Sequence, residues 1–355
     1  MIKLNPETLK KIRRFKQIRR GYYSLLFLAV LTFLFLIGEL LINSRALVVK
    51  YEGEFYFPTY GAFHPGTDFG LPYNYETNYR ELKQKFVDDG SNNWVLLAPV
   101  PYSAYENHST IGIYRPEPPN AASRHFLGTD TTSRDILARL FYGTRTALLF
   151  SVAFLICVYA IGVAIGAAMG YLGGWFDLFL QRVIEIWSNI PFLYMVIIIF
   201  SVIPATFSIP TRVSILLIVM VAFSWTSMTY YMRTETYKQK TRDYVASARL
   251  IGASDFRIVF KHILPNVLAT LVTFMPFTIV AAITAITALD FLGFGLPPPT
   301  PSLGELLKQG TDTLRTAPWI VTSAFVTLVV LLTLVTFVGE AIRESFDPKK
   351  FTVYK

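Results

Sequence analysis

The chain has 355 residues, 53% hydrophobic and only 16% charged, where a soluble domain carries about 25% charge. Its net charge of +9 sits in short basic blocks beside long apolar runs, which points to an anionic lipid surface and away from nucleic acid. The one cysteine, Cys157, excludes an intrachain disulfide and a cysteine-rich zinc site.

Residues 1–21 are a basic tail, with Lys3, Lys10, Lys11, Arg13, Arg14, Lys16, Arg19 and Arg20 set against the single acid Glu7. The first apolar run, 22–42, is too long for a cleaved leader and no small-residue cleavage site follows it, so it reads as an uncleaved anchor. Five further runs suit a bilayer, which needs roughly 20 apolar residues per helix. They cover 146–172, 190–207, 213–232, 267–289 and 319–338, and together make a five-helix core at 146–340. Lysine and arginine concentrate in the first tail, in the loop 233–266 and in the last segment 341–355, which places all three in the cytoplasm.

The segment 43–145 then falls outside. It is rich in Tyr, Phe, Pro, Asn and Gly, too long for a plain connector, and reads as a small folded periplasmic insert with short strands. Residues 51–60 alternate like an edge strand, and 133–142 read as an amphipathic helix lying on the outer membrane surface.

In the second run Gly162, Gly166 and Gly170 repeat every four residues, a flat strip that lets helices approach closely. Packing within the chain is the plainer reading, a subunit contact the sharper one. Ala281, Ala282, Ala285 and Ala288 read the same way, with Thr284 and Thr287 as weaker pore-lining candidates. No charge falls mid-span: Glu39, Asp290 and Glu340 sit at ends, which disfavours an ion- or proton-coupled carrier. His64, His108, His125 and His262 lie outside the spans and share no metal-ligand spacing, so each reads as a solvated or internally bonded histidine. Pro297, Pro298, Pro299 and Pro301 read as a rigid linker in a loop at 290–305. A membrane-anchored enzyme with a site in the insert remains a rival, with His64, Asp68, His108 and His125 available.

The loop 243–266 is the segment with a designable shape. Its first half suits a helix that Gly252 ends in a left-handed cap. Ser254 or Asp255 caps a second helix, and Pro265 is expected to stop it. Two short helices at a bend form a knob for a groove on another protein. The spacing of Ala246, Ser247, Ala248, Gly252, His262, Leu264 and Pro265 resembles the EAA loop of ABC importer permeases. Here Ala246 replaces the family glutamate, Ser247 the central alanine and His262 the isoleucine.

Further stretches are similar to the dipeptide/oligopeptide/nickel branch of that family. They are Leu127-Gly-Thr-Asp130, Ser133-Arg-Asp135, Tyr142-Gly-Thr-Arg145, Gly170-Tyr-Leu-Gly-Gly-Trp-Phe-Asp177 with Arg182 and Pro191, Asp290-Phe-Leu-Gly-Phe-Gly-Leu296, Pro301-Ser-Leu-Gly304, Gly339-Glu-Ala-Ile-Arg343 and Phe346-Asp-Pro348. Arg19-Arg-Gly-Tyr22, Val49-Lys-Tyr-Glu-Gly53, Tyr56-Phe-Pro58 and Asp68-Phe-Gly70 are similar to its Yej-type subgroup, which imports oligopeptides and is linked to microcin C uptake.

The resemblance implies an all-α membrane protein of the type I importer permease fold, with one N-terminal helix before the five-helix core. It implies a non-enzymatic inner-membrane subunit that forms half of a peptide path with a second, different permease. It further implies a periplasmic peptide-binding protein as donor and separate ATP-binding subunits that hold ATP and Mg, with no cofactor or metal in this chain. The chain has no G-x-x-x-x-G-K-[ST] segment, in keeping with that division. ATPase docking is expected at Ala246, Ser247, Ala248, Arg249, Leu250, Gly252, Ser254, Leu264 and Pro265, with Arg249 replacing the missing acid as the charged anchor. A nickel permease of the same branch and, behind it, a secondary transporter are the alternatives.

Overall fold

A computed structural model describes residues 6–61, 63–108, 115–204 and 206–346. Lys3 and the segment from Asp347 to Lys355, with its expected basic residues and the end of the Phe346-Asp-Pro348 stretch, lie outside these. In chain order the helices are α1 (Pro6–Gln17), α2 (Arg19–Leu36), α3 (Gly38–Leu41), α4 (Tyr79–Asp88), α5 (Ile136–Leu172), α6 (Gly174–Ser188), α7 (Phe192–Val202) and α8 (Ile209–Lys240). They continue with α9 (Asp243–Leu250), α10 (Asp255–Arg257), α11 (Leu264–Leu271), α12 (Met275–Phe291), α13 (Leu303–Asp312) and α14 (Pro318–Phe346). Strands β1 (Ala46–Tyr51), β2 (Glu54–Tyr56) and β3 (Trp94–Leu97) form one antiparallel sheet of order β2-β1-β3.

Helices α2, α5, α8 and α14 are long and apolar enough to cross a membrane, and α6 with α7 makes a fifth span if that pair, bent by 73°, is counted as one. Helix α12 is apolar but shorter, at 17 residues. Breaks fall where proline removes a donor. Pro191 precedes α7, so the third expected run is helical only over Phe192–Val202. Pro276 opens α12, so the fifth run is divided into α11 and α12. The first run also stops early, at Leu36, where Gly38 begins a separate turn against the Phe141 ring.

Chain contacts divide into two compact units, 1–28 with 147–297 and 330–355, and 29–146 with 298–329. In the second, Glu52 and Gly53 both have positive φ (51° and 91°) and make a two-residue hairpin turn, with Tyr51 paired to Glu54. The expected strand at 51–60 therefore holds a turn near its start. Helix α4, capped by the Asn78 side chain, buries Tyr79, Leu82 and Phe86 against Val49, Phe69 and Val95. The expected surface helix at 133–142 is instead the opening of α5: the Asp135 carboxylate accepts from the Ala138 N–H at 2.7 Å and caps it.

That start is held by a buried polar network. Arg134 donates to Asp130 at 2.7 Å and to Glu305 at 2.8 Å, and the fully buried Arg139 donates to Glu305 and to the Ala104 carbonyl. Burial alone would weaken the Arg134 cation, but Asp130 and Glu305 outweigh it and hold its pKa above the ordinary guanidinium value. His125, buried, contacts Asp135 at 2.8 Å and stacks on Tyr102, while His64 contacts Asp68 at 3.3 Å.

In the first unit α5 lies directly on α8. A Cβ at Gly162 would meet the Met228 Cβ at 2.7 Å, one at Gly166 the Thr229 carbonyl at 2.5 Å, and one at Gly170 the Arg233 carbonyl at 2.6 Å. Backbone cannot yield as a side-chain tip can. Gly166→Leu is therefore expected to lower the thermal unfolding midpoint of the purified protein sharply, costing at least the ~1–3 kcal/mol typical of overpacking. Ala164→Leu, at an exposed position of the same helix, should leave it nearly unchanged.

Candidate docking loop and its anchor

Helix α9 has two faces set by its own spacing. Val245 and Ala248, three residues apart, are buried in the core with Ile258, Ile263 and Val267. Ala246, Ser247, Arg249 and Leu250 point outward. The helix ends on Gly252, at φ +81°, whose N–H donates to the Arg249 carbonyl at 2.9 Å while the Ala253 N–H reaches back to Ala248 at 3.0 Å. This pair of bonds is the Schellman closure. No atom lies within 4 Å of a Cβ built there, so glycine is required by conformation and not by space. Ser254 then caps α10, its hydroxyl accepting from the Arg257 N–H at 3.4 Å.

Pro265 does not end the second helix. Residues Ile258–Ile263 widen into a π-turn, with the Leu264 N–H bonding the Val259 carbonyl, and α11 follows with Pro265 in its first turn. The wider turn accommodates the missing donor and the bulk of the ring. The side chain of Asn266 bonds the His262 carbonyl at 2.6 Å.

Tyr171, at the end of α5, ties the loop to the helices. Its hydroxyl donates to Asp255, its carbonyl accepts from Lys240, and its ring lies 5.4 Å below the Arg249 guanidinium and 5.5 Å from the Lys240 ammonium. One turn away Asp177 receives two bonds from Arg233, at 2.5 and 2.6 Å, and one from the Tyr237 hydroxyl at 2.8 Å. Tyr244, bonded to Gln239 at 2.8 Å, has its phenol pKa raised by burial. Hydrogen bonds and a shared ring thus join α9 and α10 to the ends of α5 and α8. Among the described residues no group of three or more His, Cys, Asp or Glu side chains could hold a metal ion.

Residues 162–352 match the family model described as binding-protein-dependent transport system inner membrane component. An inner membrane ABC transporter permease protein, YejE of Escherichia coli K12, is 40% identical over 352 residues, 99% of each chain. The chain belongs to this permease family. A peptidoglycan transport system permease protein YejE of Agrobacterium fabrum is 38% identical over 370 residues, covering 98% of this chain and 94% of that one. A dipeptide transport system permease protein DppC of Haemophilus influenzae is 34% identical over 259 residues, covering 72% of this chain and 85% of that one. The chain is accordingly a multi-pass inner-membrane permease of the ABC transport class.

Of the expected docking residues in this permease, Ala246, Ser247, Arg249, Leu250, Gly252 and Ser254 form one exposed surface, and Pro265 is exposed farther along. Ala248 is buried and Leu264 half-buried, so both hold the loop in place and have little surface to offer a partner. Arg249 is occupied by its own Tyr171. Sequence reasoning missed Ile251, Phe256 and Phe260, which are 84%, 71% and 54% exposed beside Leu250 at 89%. The signal was there: large apolar residues in a polar loop, outside the positions that fit the buried face. On α12 Thr284 is exposed and Thr287 buried.

The Asp177–Arg233 pair gives a test of the anchor. Arg233→Met leaves a carboxylate that is only 5% exposed with Tyr237 as its remaining partner, and should cost about 3–5 kcal/mol. In thermal unfolding the double variant Asp177→Leu/Arg233→Met should lose clearly less than the sum of the two single variants.

Proposed function

We propose that this permease forms half of a peptide path and that separate ATPase subunits drive it through the 243–266 loop. The observation that carries the reading is the exposed apolar tip. Leu250 and Ile251, 89% and 84% exposed, sit on a turn fixed by Gly252 and backed by Tyr171. Surfaces of that kind mark partner contacts. Shape and apolar contact, with Arg249 at the edge, take the part that the family glutamate plays at the position of Ala246. ATP and Mg are held by the ATPase subunits.

Six spans follow if the α6/α7 pair and α11/α12 each cross the bilayer with α2, α5, α8 and α14. Basic residues at both ends and in the loop 233–266 then put these in the cytoplasm, and the β-sheet insert in the periplasm. An open cleft of about 650 Å³ runs beside α8 and α12, lined by Phe192, Phe223, Ser224, Ser227, Tyr231 and Thr278 among others. Its mixture of rings and hydroxyls suits an amphipathic chain such as a peptide, and a second, different permease closes it. A periplasmic binding protein delivers the substrate to the insert and the 290–305 segment. The relatives named for dipeptides and for peptidoglycan favour a peptide or a peptide-bearing cell-wall fragment over nickel.

Leu250→Asp/Ile251→Asp changes side chains that touch little of the chain itself. It should leave membrane insertion and thermal stability intact while reducing ATPase-subunit co-purification and labelled-oligopeptide uptake by at least about tenfold, the effect of losing ~1.4 kcal/mol. Normal co-purification would refute the docking assignment. Uptake of a muropeptide but of no oligopeptide would move the substrate to the cell-wall class.

A further inference from the structure

The first unit contains a second apolar groove, away from the docking loop. Helix α1 is amphipathic and basic, and it joins α2 through the single residue Ile18. Helix α2 is pinned to α14 where Gly21 packs directly on Ala341, with Arg20 paired to Glu340 at 3.3 Å and to Glu344 at 3.7 Å. That crossing leaves a groove of about 520 Å³ beneath α1. Ile12 and Phe15 line it from α1, Leu25 from α2, and Val338 and Ile342 from α14. Among its lining residues only Lys11 and Lys16 are charged, and the Lys11 ammonium is held 4.3 Å from the Phe346 ring.

The occupant can be argued from its setting. Helices α2 and α14 are long and apolar enough to cross a membrane, and the groove is lined from the first turns of α2 and the last turns of α14, where such helices meet the headgroups. The apolar chains available there are acyl chains. A basic amphipathic helix lies in the plane of the headgroups, with its lysine stems along apolar surface and their ammonium groups at phosphate level. Two lysines and no acid among the lining residues favour a net-negative head over a zwitterionic one, whose cation would meet like charge. We infer that this groove is a binding site for an anionic phospholipid, one acyl chain lying between α1, α2 and α14 and the phosphate held by Lys11 and Lys16.

The test is native mass spectrometry of the full-length protein taken from nanodiscs of phosphatidylglycerol and phosphatidylcholine in equal amounts. Retained phosphatidylglycerol is expected in excess over phosphatidylcholine. Lys11→Gln/Lys16→Gln should reduce it roughly twenty-fivefold, since each lysine near a charged headgroup is worth about a fivefold change. Lys10→Gln/Arg13→Gln removes the same charge from positions of α1 outside the groove lining and should leave retention unchanged. Equal loss in both double variants would mean general surface attraction and would overturn the site. So would equal retention of the two lipids, or an unchanged Lys11→Gln/Lys16→Gln protein.

Discussion

The contact on which the first unit depends is the backbone approach of α5 to α8. Gly162, Gly166 and Gly170 remove the Cβ atoms from the contact strip, and α8 comes close enough that the Met228 side chain or the Thr229 and Arg233 carbonyls would touch a replacement. In a bilayer such approach matters more than in water, because lipid tails give helices no hydrophobic reason to associate. The same approach brings the end of α5 to the end of α8. Tyr171 therefore meets Lys240, and Asp177, just beyond the turn, meets Arg233 and Tyr237. A wider helix spacing would leave these charges unpaired at the membrane boundary.

From that junction the stiffness of the loop follows. A short helix is marginal alone, and α9 has only eight residues. It is made rigid from outside by Val245 and Ala248 in the core, by the Schellman closure at Gly252, and by Tyr171 bonded to Asp255 and stacked under Arg249. The π-turn at Ile258–Ile263 then carries the chain past Pro265 without a break. Beyond the closure at Gly252, α10, the π-turn and α11 follow one another without a break, and Tyr171 ties Asp255 to the end of α5.

The parts of this design legible in the sequence were those with a local cause. Apolar length marks α2, α5, α8 and α14, glycine spacing marks the strip on α5, and Gly252 marks a left-handed cap whose reason is purely conformational. Tertiary decisions were not legible. Residues 133–142 have the pattern of a surface helix, and only the cap at Asp135 and the network of Arg134, Arg139 and Glu305 make them the start of α5. Pro265 reads as a stop because a π-turn leaves no periodic trace in six residues. The partnership of Tyr171 with a loop about 80 positions away has no sequence signature, since an aromatic at the end of an apolar run usually marks the membrane interface.

Arg249 shows how these levels interact. From sequence it was the charge best placed to replace the acid missing at Ala246. Its guanidinium lies over Tyr171 while the residue itself stays exposed. Strongly directional recognition of a partner by that residue would first have to undo the ring contact that stiffens the loop. The neighbouring surface has no such conflict: Leu250, Ile251 and Phe256 are exposed and have no polar requirement to satisfy. Apolar contact at the tip and a cation retained for internal bracing are therefore compatible, whereas an acidic side chain at Ala246 would place a carboxylate one turn from Arg249 and compete for it. The absence of the acid and the internal contact of Arg249 fit one arrangement, in which the loop is braced from within and, in the proposed reading, presents its shape to a partner.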